Sequence, residues 1–102
     1  MRVWIYCYCK ERSSRKLEEQ RSKMLAFAGK RRMEVMGITV LNAQNESQLK
    51  EVIKSVGRMR GDAILIYDLG ELPQYERMLL LDAIYQRKIT IICCKYSGKE
   101  VI

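Results

Sequence analysis

The sequence contains no histidine. That removes the commonest general base and the commonest protein metal ligand, and it weakens any hydrolase or transferase reading. Repeats and low-complexity segments are also absent, and so is a glycine-rich phosphate loop. The turn around Gly70 holds a single glycine where such a loop needs several. Asp68 has no acidic neighbours of the kind a magnesium site would need. The longest apolar run, Val3 to Cys9, is far too short to span a bilayer and alternates like a strand, so a soluble, cytoplasmic chain without a membrane partner is expected. Four cysteines occur as the pairs Cys7/Cys9 and Cys93/Cys94. Neither pair has the spacing usual for structural zinc, and disulfides are not expected in the cytosol. The thiols read as small buried apolar groups. No metal, cofactor or small-molecule substrate is indicated.

What is present is one core's worth of apolar residues. At 102 residues and 48% hydrophobic, the chain reads as a single domain over 1–102. Nineteen Lys and Arg against twelve Asp and Glu give a formal charge of +7. Such a balance favours a polyanionic partner such as nucleic acid, though a solvated basic surface would also produce it.

The stretch Gly61 to Gln74 organises the remainder. Ala63 to Tyr67 is apolar and β-branched, as in a central strand buried on both faces, and a polar turn then leads to Pro73 in the first turn of a helix. Along the chain, Arg2–Tyr8 reads as a strand with Val3, Ile5 and Cys7 on one face and Trp4, Tyr6 and Tyr8 on the other. Ser14 suits an N-cap, and a helix follows to about Ala28, with Gly29 placed to end it in a left-handed conformation. Lys30, Arg31 and Arg32 follow as a basic cluster suited to the negative end of that helix or to a phosphate. Met33–Leu41 holds a second strand, with Gly37 marking a bulge or kink. Asn45 and Gln48 form a capping-box pattern ahead of a helix over Glu46–Arg60, whose Leu49, Val52, Ile53, Val56 and Met59 make the clearest amphipathic stripe. Gln74–Gln86 reads as a third helix packing through Met78, Leu79, Leu81 and Ile84, and Ile89–Cys93 as a fourth strand. Lys95–Ile102 is a polar tail without a strong signal. This order implies an α/β, three-layer fold: a mostly parallel sheet of four or five strands with helices on both faces.

With these elements in place the chain resembles the N-terminal catalytic domain of the resolvase/invertase family of serine recombinases, over Met1 to about Cys94. In that family the first strand ends in Tyr-x-Arg-x-Ser and the first helix carries a Leu-x-x-Gln-type signature. The corresponding residues are Tyr6-Cys7-Tyr8-Cys9-Lys10 and Leu17-Glu18-Glu19-Gln20. The family's central strand follows Gly-Asp and ends in Asp-Arg-Leu-x-Arg, where this chain has Gly61-Asp62 and Gly70-Glu71-Leu72-Pro73-Gln74. Tyr6, Gln20, Gly61, Asp62 and Leu72 match.

The resemblance implies DNA cleavage by a serine hydroxyl, with arginines neutralising charge on the phosphoryl oxygens. Here Lys10 stands at the nucleophile position, Tyr8 at the first-strand arginine, and Glu71 and Gln74 at the two arginines after the central strand. Ser13 and Ser14 lie three or four residues late, several ångströms from where attack requires placement within about 1 Å. No catalytic residue is therefore assigned. The expectation is a domain associated with DNA recombination or a mobile element, catalytically inactive, acting as an accessory or interaction domain, with a second copy or a partner recombinase as companion. Met78–Leu81 or Trp4 would supply its surface. The family's long dimerisation helix and DNA-binding C-terminal domain are not expected in the chain. The alternative is a weak, salt-sensitive nucleic-acid-binding module that uses Lys10, Arg12, Arg15 and Lys16 at the carboxyl edge of the sheet.

Overall fold

The computed structural model describes residues 1–96 and 99–101. Five strands, β1 (Arg2–Cys9), β2 (Glu34–Asn42), β3 (Ala63–Ile66), β4 (Thr90–Cys93) and β5 (Lys99–Val101), form one sheet in the order β2-β1-β3-β4-β5. The first four run parallel, and β5 pairs antiparallel with β4. Three helices connect them: α1 (Ser14–Lys30), α2 (Leu49–Arg58) and α3 (Gln74–Arg87).

The chain steps one way from β1 to β2 and the other way from β2 to β3 and β4. Right-handed crossovers therefore place α1 on one face of the sheet and α2 with α3 on the other. The side chains sort accordingly. Val3, Ile5 and Cys7 join Leu65 and Ile92 beneath Met24 and Ala28 of α1. Tyr6, Ile64, Ile66 and Ile91 pack against Val52 and Val56 of α2 and Leu80 and Ala83 of α3. All four residues of β3 are buried, which makes it the central strand that its apolar run predicts.

Several local expectations are corrected. The N-cap of α1 is Ser13 and not Ser14: Ser13 is extended, and its hydroxyl accepts from the Lys16 N–H at 3.2 Å. The Asn45–Gln48 capping box does not form, because Asn45 Oδ1 accepts from the Asn42 N–H and Asn42 Oδ1 from the Gln44 N–H, both at 2.9 Å. These bonds close residues 42–45 as a turn and delay α2 until Leu49. Gly29 lies inside α1, and Pro73 is the N-cap of α3 and not within its first turn. Helix α3 buries Glu76, Leu80 and Ala83, leaving the expected packing residues Met78 and Leu81 exposed. The tail beginning at Lys95 contributes β5; residues 97, 98 and 102 lie outside the described residues.

Gly37 does mark an irregularity, since the β1–β2 register shifts between Val3 and Trp4 and Trp4 pairs with Gly37. The Trp4 indole lies flat over this glycine: a Cβ built there would meet three ring carbons at 2.6 to 2.7 Å. The indole N–H also donates to Thr39 Oγ1 at 2.9 Å. Gly37→Ala must displace a large, hydrogen-bonded ring, so it is expected to lower unfolding free energy by about 1–3 kcal/mol, the usual cost of overpacking. A urea titration followed by Trp4 fluorescence will measure both the loss and the displacement.

Candidate functional site

Strand β1 sends the chain to β2 on one side and has β3 on the other, so the crevice at the carboxyl ends of β1 and β3 is the topological switch point where ligands bind in open α/β sheets. The loop Lys10–Ser13 leaves β1 there. The turn after β3 is built by Asp68, whose Oδ1 accepts from the Gly70 N–H at 3.0 Å and whose Oδ2 meets Lys95 Nζ at 2.9 Å.

Two hollows flank the end of β1. The first, about 220 Å³, is lined by Cys9, Lys16, Gln20, Lys23, Tyr67 and Glu71, among others. Gln20, only 8% exposed, has its Oε1 without a hydrogen-bond partner among the described residues. Lys23 Nζ lies 5.6 Å from the centre of the Tyr67 ring, a cation–π contact. The second hollow, about 210 Å³, is lined by Tyr6, Tyr8, Asn42, Ser47, Pro73 and Glu76, among others. Here Glu76 is 2% exposed. Its Oε2 accepts from the Tyr6 hydroxyl and, at 2.8 Å, from the Ser47 hydroxyl. Its position in the first turn of α3 sets the carboxylate against the positive end of the helix dipole.

The site residues read from sequence are brought to this edge but do not converge. Lys10 is exposed at the end of β1. Arg12 donates to Gln44 Oε1, Arg15 pairs with Glu19 at 3.5 Å and Lys16 with Glu11 at 2.7 Å. The hydrogen bond to Glu11 holds the Lys16 ammonium pKa above its usual value. Glu71 lines the first hollow beside Glu19, and Gln74 is exposed at the start of α3. The Tyr6–Glu76–Ser47 cluster escaped sequence reasoning. Its one signal was a glutamate in the opening turn of a helix preceded by Pro73, the usual place for a solvent-facing acid. Among the described residues no group of three or more His, Cys, Asp or Glu could hold a metal ion.

The cysteines are placed for packing. Cys7, Cys9 and Cys93 are buried, Cys94 is half-buried and all are free. Burial pushes the Cys7 thiol up to about 11, and burial with Cys93 pushes Cys94 up to about 12, so neither is a nucleophile at neutral pH. Tyr6 is raised first by burial and then by Glu76, and Tyr8 first by burial.

These groups ionise in the unfolded chain at lower pH than in the folded one. Stability is therefore complete below about pH 8, where both states keep their protons, and declines as pH rises and only the unfolded chain loses them. The urea midpoint is expected to fall steadily between pH 9 and 11. Tyr6→Phe will be less stable at pH 7, because the buried Glu76 carboxylate loses a donor, by about 1–3 kcal/mol. Its midpoint will fall less steeply above pH 10 than that of the unsubstituted chain, and equal slopes would remove Tyr6 from the effect.

No protein-family model matches the sequence, and no curated protein matches it. Solved structures do. A resolvase family site-specific recombinase from Streptococcus pneumoniae superposes with a TM-score of 0.78 at 18% identity, over 98% of this chain and 75% of that one. The C-terminal catalytic domain of ISC1926 TnpA, an IS607-like serine recombinase, gives 0.74 at 19% identity over 91% and 67%. The N-terminal catalytic domain of TP901-1 integrase gives 0.75 at 18% identity over 98% and 81%. The chain thus has the fold of the serine recombinase catalytic domains, as the resemblance of its motifs implies.

Proposed function

We propose that this chain is a serine-recombinase-like domain that has lost strand cleavage and acts in DNA recombination or a mobile element as an accessory or interaction domain. One observation carries the reading. The positions where the resemblance puts a serine and three arginines hold Lys10, Tyr8, Glu71 and Gln74. Four departures within an intact framework remove the nucleophile and the phosphate clamp together. Glu71 and Glu19 line the first hollow with Lys16 and Lys23, so its lining charges balance and leave no net positive clamp for a phosphodiester. Two hydroxyls at this edge are engaged elsewhere: Ser13 as an N-cap, and Ser47 as a donor to Glu76.

An interaction role suits the surface of α3. Tyr75, Met78, Leu81 and Tyr85 are all more than two-fifths exposed, at spacings of three and four that align them along the outward side of one helix. A second copy of the chain or a partner recombinase would cover such a stripe. In the second reading, Lys10, Arg12, Arg15 and Lys16 hold phosphates by charge alone. All four are exposed, but Arg15 and Lys16 already face carboxylates.

Incubation with supercoiled plasmid followed by denaturing electrophoresis is expected to leave the plasmid intact and the protein unattached. Protein covalently joined to cut DNA ends would overturn the loss of cleavage.

A further inference from the structure

Three residues other than glycine adopt a left-handed backbone among the described residues: Arg32 at φ 54°, Arg60 at φ 56° and Lys88 at φ 57°. Each stands just beyond the end of a helix, the position glycine usually fills because a Cβ is disfavoured there. Two of the three close the expected 6→1 bond, Met33 N–H to Ala28 C=O at 2.9 Å and Gly61 N–H to Val56 C=O at 2.8 Å. Gly61 itself stands one residue past the place where glycine would relieve the backbone.

All three strained positions carry a cation, and all three lie at the same edge. In a parallel α/β sheet every helix ends at the amino edge of the strands. Backbone hydrogen bonds fix the placement: the Glu34 N–H donates to Met1 C=O, the Asp62 N–H to Arg2 C=O and the Thr90 N–H to Asp62 C=O, at 2.8, 2.8 and 3.1 Å. Strand order then sets Arg32 ahead of β2, Arg2 at the head of β1, Arg60 ahead of β3 and Lys88 ahead of β4. At about 4.8 Å per strand these positions form a row about 14 Å long, enough for roughly four nucleotides of one strand at 3.4 Å each.

The row is reinforced by Arg31, Arg58 and Arg87, each within two residues of a strained one and exposed. The carboxylates at the heads of these strands, Glu34 and Asp62, are occupied by Arg2. Its guanidinium pairs with Glu34 at 2.7 Å and its backbone N–H donates to Asp62 Oδ2 at 2.7 Å. None of Arg32, Arg60 and Lys88 pairs with a carboxylate among the described residues. Complementing the helix dipoles accounts for Lys30, Arg58 and Arg87 in the last turns. It does not account for three cations kept where glycine relieves the backbone. Retained strain marks a position chosen for its side chain.

We propose that the amino edge of the sheet, centred on Arg32, Arg60 and Lys88 and opposite the switch-point crevice, is a binding face for the phosphate backbone of nucleic acid. The proposal rests on the reading that the partner is DNA, and it assigns the contact to a different edge from Lys10, Arg12, Arg15 and Lys16.

The test uses the full chain and a fluorescent DNA duplex of arbitrary sequence, titrated between 50 and 200 mM salt. The triple variant Arg32→Gly, Arg60→Gly, Lys88→Gly removes charge and relieves strain together, so its melting temperature is expected to equal or exceed that of the unsubstituted chain. Its duplex affinity at 50 mM salt should fall at least about tenfold, and the slope of log K against log salt should shrink by about 2.7, or 0.9 for each phosphate no longer neutralised. Arg32→Lys, Arg60→Lys, Lys88→Arg keeps the charges and should keep the affinity, which guards against a folding artefact. Unchanged binding by the glycine variant overturns the proposal. If binding is lost instead on changing Lys10, Arg12, Arg15 and Lys16 to alanine, DNA stays the partner and this face is wrong. Absence of binding by the unsubstituted chain, or tighter binding to vesicles of anionic phospholipid than to duplex, overturns both this face and the DNA partner.

Discussion

Burial of the central strands on both faces is the constraint from which the remainder of this structure follows. Ala63–Ile66 carry no polar side chain because both surfaces of β3 are covered, and the inward positions of β1 are apolar for the same reason. Chemistry is thereby expelled from the strands to their two ends. The carboxyl ends receive the loops, the helix starts and the two hollows. At the amino ends the helix stops collect the cations. Cations stand at both edges, Arg32, Arg60 and Lys88 at the amino ends and Lys10, Arg12, Arg15 and Lys16 at the carboxyl ends.

At the carboxyl end the polar side chains are largely committed to one another. Tyr6 there donates to Glu76, an internal carboxylate that also takes the Ser47 hydroxyl. Such a cluster ties β1, the loop before α2 and the start of α3 into one unit. Cations at the same edge are mostly neutralised nearby, Lys16 by Glu11, Arg15 by Glu19 and Lys95 by Asp68. A phosphate clamp would need those charges unpaired and convergent.

The framework was legible because its signals are periodic. The two-sided alternation of β1, the stripe of α2 and the short run of β3 each fix an element by burial alone, and the matched Tyr6, Gln20, Gly61-Asp62 and Leu72 fix the family likeness of the fold. Misses fall where two neighbouring residues offer the same chemistry. Ser13 and Ser14 are both competent caps, and only backbone conformation decides between them. Apolar residues fall on every side of helix α3, so Leu80 and Ala83 could not be told from Met78 and Leu81 by spacing. A left-handed end to the first helix is expected at Gly29, whereas Arg32 occupies that conformation, and Arg60 does so after α2, against propensity. Glu76 was invisible for a related reason, since an acid in a first helical turn is ordinarily wet.

One helix alone covers the sheet on the side where two cover the other. Beneath α1 the Cys7 sulfur rests 3.7 Å from that of Met24, with no path to solvent while the helix is seated. Cys7 is reached from solvent only when α1 leaves the sheet, and α2 and α3 pack on the opposite face. The rate at which a thiol reagent modifies Cys7 therefore counts how often the covering layer leaves the sheet, alone or with the whole.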